Sequence, residues 1–244
     1  MGRIAIIGGS GMNLLPYECN RDPAPGTRWG DASAAPAKWQ TDAHELMFLP
    51  RHGVSGTIAP HAVNYRANLQ LVKDFAADWV IAVNAVGGIA AEAEPGWLVI
   101  PDQLIDYSWG RSHSYYDDAA ANLEFVDFTY PYSSGLRESL SSAAQQAGVN
   151  YLASGTYAVT QGPRLETAAE IDRLERDGCQ VVGMTSMPEA GLARELRLEY
   201  ASLAVVVNRA AGRGDTAVHA QIEQHLAEGM ASAGQVLTEL QKLL

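Results

Sequence analysis

Four short segments of this chain combine residue types that suit an oxyanion beside a flat polar ligand. Gly8-Gly9-Ser10-Gly11 joins glycines, whose backbone N–H groups can turn toward an anion, to a hydroxyl donor. Pro50-Arg51-His52-Gly53 adds a planar guanidinium fork that suits phosphate and an imidazole beside it. Asn84-Ala85-Val86-Gly87-Gly88 reads as a loop of small residues, where backbone at Ala85 and Gly87 can approach a ligand closely. Gly183-Met184-Thr185-Ser186-Met187-Pro188-Glu189 offers Thr185 as a further anion donor and Met184 as an apolar surface for a sugar ring. Glu189 reads either as a ligand for hydroxyls or as a carboxylate at a helix start, where the helix dipole favours it. Taken singly, each segment also fits a plainer reading: a tight turn, a surface arginine, a core methionine. Several anion-friendly segments of one kind argue for a single binding site.

The elements that must position these residues alternate in kind. Apolar, β-branched runs at 3–7, 44–49, 79–83, 97–100, 181–182 and 201–207 each stop at Gly, Pro or Asn. Runs apolar on both faces are how buried strands of a largely parallel sheet read. Helical patterns fall between them, over 64–77, 134–147, 166–177, 188–199 and about 217–244, with Pro188 suited to a first helical turn. This alternation predicts an α/β fold of one domain spanning 1–244, a mixed, largely parallel central sheet flanked by helices. In such sheets ligands sit beyond the carboxyl ends of the strands, where the segments above lie. Residues 19–43, rich in Pro, Ala, Gly and Asp, read as a long excursion between two strands.

Composition narrows the function classes. The 244 residues carry 17 basic against 28 acidic side chains, a net charge of −11, which disfavours nucleic acid and anionic membranes as partners. The two cysteines, Cys19 and Cys179, form no CxxC or Cys/His cluster, so no metal site is expected and two reduced thiols are. The apolar run after Arg3 is too short for a signal peptide, and no stretch approaches the ~20 residues of a membrane span. A soluble, cytoplasmic protein is expected. The glycine segment is not GxGxxG, which leaves a dinucleotide-dependent oxidoreductase without its fingerprint.

Read in order, Gly8–Gly11, Arg51–Gly53, Val63–Asn68, Asn84–Gly88, Gln161–Thr167, Gly183–Thr185 and Met187–Glu189 resemble the trimeric purine nucleoside phosphorylases, most of all their methylthioadenosine and methylthioinosine branch. The resemblance runs from about residue 4 to about residue 240. It implies that Ser10, Arg51, His52, Ala85 and Thr185 hold phosphate, that Met184 lies against ribose, and that the chain forms a homotrimer. Inorganic phosphate would be the co-substrate, with no metal and no organic cofactor.

The base pocket is the more informative part. Adenine-specific members of this branch carry two aspartates where this chain has Asn208 and Ala210. Asn208 can donate to O6 and bond N7, and Glu166 can accept N1–H, so the resemblance implies a 6-oxopurine held by Gly87, Glu166, Asn208 and Ala210. Buried polar groups left unmatched give strong discrimination. At the 5′ end His219 suggests a 5′-hydroxyl contact, whereas Val218, Ala220, Ile222 and a neighbouring subunit's Phe125 would suit an apolar 5′ group. The substrate expected is S-methyl-5′-thioinosine, cleaved to hypoxanthine and 5-methylthioribose 1-phosphate. Inosine or guanosine phosphorolysis and methylthioadenosine phosphorolysis stay open, as do a water-using nucleosidase and a non-catalytic nucleoside-binding module. Asn208 and Glu166 would carry catalysis by stabilising charge on the leaving purine while phosphate attacks C1′.

Overall fold

The computed structural model describes residues 1–9, 11–12, 24–117, 123–214 and 217–244. In chain order the strands are β1 (Gly2–Gly8), β2 (Gly26–Thr27), β3 (Gly30–Asp31), β4 (Ala37–Gln40), β5 (His44–Pro50), β6 (Trp79–Gly88), β7 (Leu98–Val99), β8 (Gln103–Asp106), β9 (Tyr151–Leu152), β10 (Thr156–Val159), β11 (Val181–Gly183) and β12 (Glu199–Arg209). The helices are α1 (Tyr65–Asp74), α2 (Ser134–Ala147), α3 (Ala168–Arg176), α4 (Ser186–Glu195) and α5 (Val218–Leu240). Ten strands form one sheet in the order β4-β5-β1-β6-β11-β10-β8, with β12 joining β6 to β7 and β9 beyond. Most pairings are parallel; β4–β5, β6–β11 and β7–β12 run antiparallel. The expected mixed, largely parallel α/β sheet is what the chain forms.

Period-two alternation feeds two cores. Along β1 and β6, Ile4, Ile6, Ile81 and Val83 point to one face and pack with Leu140 of α2 and Met230 and Val236 of α5. Ala5, Ile7, Val80 and Ala82 point to the other and pack with Leu69 and Val72 of α1 and Ala190 and Leu192 of α4. Strands apolar on both faces are therefore covered on both faces. Each fully buried Ile or Leu contributes about 1.5–3 kcal/mol relative to exposure. A third helix–sheet contact sets Ile171 and Leu174 of α3 against Ile89 and Val182.

Three boundaries differ from the sequence reading in ways that matter for the site. Asn84–Gly88 is not a loop but the end of β6, paired in parallel to β12 throughout and, at Gly87 and Gly88, antiparallel to β11. Small residues have weak strand preference, yet the β12 ladder, joined by β11 at the two glycines, holds them extended. Helix α3 starts at Ala168 behind a Thr167–Glu170 capping box, so Glu166 lies in the segment before the helix. Within 19–43, the described part forms the β2–β3 hairpin and the edge strand β4, with Ala32, Ala34 and Ala35 buried. Cys179 is a buried free thiol and Cys19 lies outside the described residues. No helix among the described residues is long and apolar enough to cross a membrane.

Candidate active site

The carboxyl ends of β1, β5, β6, β11 and β12 surround a cavity of about 350 Å³. Its walls hold Arg51, His52, Ala85, Gly87, Glu166, Met184, Thr185, Asn208 and Ala210, nine of the eleven residues expected from sequence. Ser10 lies outside the described residues, between Gly9, which lines the cavity, and Gly11. His219 is not among the lining residues; it is exposed on the first turn of α5.

At one end the donors are arranged by a buried polar network. Ser202 Oγ donates to Asn84 Oδ1 at 2.8 Å, and Asn84 Nδ2 donates to Thr185 Oγ1 at 2.7 Å. An amide nitrogen only donates, so the Thr185 hydroxyl accepts from Asn84 and keeps its own proton to give. Asn84, Thr185 and Ser202 are all buried, and a half-satisfied network there would be costly.

Arg51 behaves differently from a fork offered to phosphate. Its side chain is 1% exposed and Glu189 is 0% exposed. Nε donates to Glu189 Oε2 at 2.8 Å and Nη2 to Oε1 at 2.9 Å, while Tyr200 Oη donates to the same Oε1. Nη2 also reaches Ile7 O, and Nη1 donates to Val83 O at 3.0 Å. Four of the five guanidinium N–H groups are thus taken by protein, which leaves one on Nη1 for an anion. Burial alone would lower the Arg51 pKa; the Glu189 carboxylate more than offsets it and the net shift is upward. Glu189 is consequently the counter-ion of Arg51, accepts from the Tyr200 hydroxyl, and does not line the cavity. His52 sits at the same end, with Nδ1 2.7 Å from Ile58 O. Burial, with the Arg51 charge beside it, pushes the His52 pKa below the ordinary histidine value.

The other end is set by a bulge. The β12–β6 register pairs Val206 with Val86 but Asn208 with Gly87, so Val207 is the extra residue. The bulge turns β12 so that both Val207 and Asn208 line the cavity. Gly87 lies opposite in a tight space: a Cβ there would lie 3.1 Å from Asn208 Nδ2 and 3.3 Å from Val182 Cγ1, so a larger residue would press on the Asn208 amide. Asn208 Nδ2 donates to Arg209 O at 2.7 Å, which orients the amide and leaves one N–H and the Oδ1 acceptor. Glu166, half-buried, accepts from Thr160 Oγ1 at 2.6 Å. An amide offering a donor and an acceptor, beside a carboxylate, can read the hydrogen-bonding edges of a heterocycle.

Between the two ends lies Met184. It is held by Arg111, a residue that the sequence reading missed. Arg111 Nη1 donates to Met184 O and Met187 O, and Nη2 to Thr160 O and Gln161 O. One guanidinium thereby ties the segment after β10 to the segment after β11. Nothing in the Trp-Gly-Arg-Ser segment around it distinguishes it from a surface arginine. Past Met184, the wall is apolar: Val218, Ile222 and Leu226 of α5 line it, one turn apart on one helix face. His219, beside Val218 on the same turn, is exposed and is not among the lining residues.

The phosphorylase superfamily matches residues 3–242 of the chain. A probable S-methyl-5′-thioinosine phosphorylase of Pseudomonas syringae pv. tomato is 47% identical over 242 residues, 98% of this chain and 97% of that one. A 6-oxopurine nucleoside phosphorylase of Pyrococcus furiosus is 42% identical over 228 residues, 91% of this chain and 85% of that one. Among solved structures, the methylthioadenosine phosphorylase of Schistosoma mansoni in complex with tubercidin superposes with a TM-score of 0.89 at 27% identity, covering 100% of this chain and 92% of that one.

Proposed function

The chain belongs to the phosphorylase superfamily, and from that premise we propose that it phosphorolyses a 6-oxopurine nucleoside, S-methyl-5′-thioinosine in particular, to hypoxanthine and 5-methylthioribose 1-phosphate. One observation carries this reading. A single cavity has a donor-rich end at Thr185 and Arg51 and an amide–carboxylate end at Asn208 and Glu166. Phosphate at the first end would face C1′ of a nucleoside whose base occupies the second. Asn208 would give its free N–H to O6 and accept from N7 as the leaving purine gains a proton. Glu166 would accept N1–H, a donor that hypoxanthine has and adenine lacks. These contacts strengthen as charge moves onto the base, so they favour the transition state over the bound substrate. The reaction draws on no metal or organic cofactor, since phosphate itself is the nucleophile.

The 5′-methylthio group is supported by Val218, Ile222 and Leu226 along the remaining wall. A homotrimer belongs to the same proposal. Trp109, Phe125 and Tyr130 are 71%, 90% and 72% exposed, large aromatic side chains that a neighbouring copy would cover. Phe125 of that copy would close the 5′ end.

The test is base release from S-methyl-5′-thioinosine, inosine and 5′-methylthioadenosine, with and without phosphate. Phosphate-dependent release of hypoxanthine, fastest from the methylthio substrate, is the expected result. Preference for inosine would remove the apolar 5′ assignment, preference for the adenine nucleoside would remove the Asn208–Glu166 assignment, and release without phosphate would make the enzyme a nucleosidase.

A further inference from the structure

Thr160 stands directly behind Glu166 and has no direct place in the cavity wall. Its backbone is fixed on two sides: the N–H donates to Gly183 O at 2.8 Å, and the carbonyl accepts from Arg111 Nη2 at 3.1 Å. Its hydroxyl has one proton and two acceptors within reach, Glu166 Oε1 at 2.6 Å and Gly183 O at 3.3 Å. The shorter bond takes the proton. Among the described residues no hydrogen bond reaches Glu166 Oε2, so Oε1 has given one of its two lone pairs to Thr160 while Oε2 has both open.

We infer that Thr160, by taking one acceptor site on Glu166 Oε1, sets this site for hypoxanthine over guanine. The inference rests on the reading of Glu166 as the acceptor of N1–H. Hypoxanthine presents one donor on that edge, N1–H, with a carbon-bound hydrogen at C2. Oε2 alone satisfies it. Guanine presents two donors side by side, N1–H and the 2-amino group, and a carboxylate binds that pair by offering both oxygens. In this site the second donor has to take the remaining lone pair of Oε1, weakened as an acceptor by the short 2.6 Å bond it already receives, or displace the hydroxyl and leave it with a poorer acceptor. Either outcome costs guanine and spares hypoxanthine. Thr160 is thus a positioning residue that acts on specificity through Glu166 and touches no substrate.

The test measures kcat/KM for inosine and guanosine, in phosphate, for the wild type, Thr160→Val and Thr160→Ser. The wild type is expected to favour inosine by about tenfold or more, equivalent to about 1.4 kcal/mol. Thr160→Val deletes the hydroxyl at nearly constant shape and should bring the ratio close to one, chiefly by raising the guanosine value relative to inosine. Thr160→Ser keeps the hydroxyl and should keep the ratio. Equilibrium binding of free hypoxanthine and guanine to the wild type, by calorimetry in phosphate, gives the same comparison should the valine variant not fold, and equal affinities would overturn the inference. A Thr160→Val enzyme that loses activity on both nucleosides in equal proportion would also overturn it, since that is the signature of a merely structural residue. A wild type inactive on every 6-oxopurine nucleoside would instead overturn the reading of Glu166 on which the inference stands.

Discussion

Arg51 and Glu189, 138 residues apart in the chain, meet as a two-point ion pair, Nε to Oε2 at 2.8 Å and Nη2 to Oε1 at 2.9 Å. The pair joins the end of β5 to helix α4 beneath the anion end of the cavity. Removing one partner of such a pair leaves an uncompensated buried charge. Glu189→Ala is therefore expected to lower the unfolding free energy by about 3–5 kcal/mol, read from the urea midpoint. Arg51→Lys keeps the charge but cannot form the fork, and should lose stability in the same direction. A midpoint unchanged in Glu189→Ala would mean that Arg51 finds its partners elsewhere.

The two residues also mark what the sequence could and could not tell. Arg51 was legible because it follows a strand that ends at Pro50, a position where ligands of α/β sheets sit. Its partner was not, because a pairing across 138 residues is decided by tertiary packing. The strand ends carrying Gly9, Thr185 and Asn208 could be read for the same reason as Arg51. Asn84–Gly88 was misread as a loop because its small residues gain their extended form from the β12 ladder, and at the glycines also from β11, not from their own preference. Arg111 and Thr160 left no local signal: each acts through carbonyls or a carboxylate brought to it by the fold. His219 could be placed on the last helix from the sequence, but which residues of α5 turn a face to the cavity, Val218, Ile222 and Leu226, is decided by how that helix packs.

That face leads to the second prediction. Val218 and Ile222 line the cavity and His219 is exposed. Ile222→Ser should reduce kcat/KM for S-methyl-5′-thioinosine by about tenfold, in line with the 1–3 kcal/mol that an apolar contact of this size contributes to discrimination. Inosine should change by much less, and His219→Ala should stay within about twofold of wild type on both. An inosine-specific loss in His219→Ala would restore the histidine to the 5′ site.

Asn208 gives the third. Replacing it by Asp supplies a carboxylate acceptor for a 6-amino group, so preference should move toward 6-aminopurine nucleosides. The gain is limited by Arg209 O, which now accepts from Asn208 Nδ2 at 2.7 Å and would face a carboxylate oxygen instead. The inosine-to-adenosine ratio of kcat/KM is expected to fall by about tenfold, about 1.4 kcal/mol, with a lower absolute rate on both. An unchanged ratio in Asn208→Asp would show that this side chain does not read position 6.

His52 supplies a prediction in pH. Nδ1 lies 2.7 Å from Ile58 O, a group that only accepts, so Nδ1 carries a proton and Nε2 of the neutral ring is a lone pair. Burial, then the charge of Arg51, lowers the His52 pKa below its ordinary 6.5. The unfolded chain thus takes up this proton at a higher pH than the folded one. The resulting stability is fully present above about pH 6.5 and is lost as the pH falls through the folded value. One proton limits the effect to about 1.4 kcal/mol per pH unit, and solvent reaching the half-buried ring reduces it further. Urea midpoints at pH 7, 6 and 5 should therefore drop more for the wild type than for His52→Gln. Saturating phosphate should narrow the gap, because an anion beside Nε2 favours the imidazolium and draws the folded pKa back up. Equal pH dependence in the two proteins would remove His52 from this linkage. A gap that phosphate leaves untouched would place the anion away from the ring.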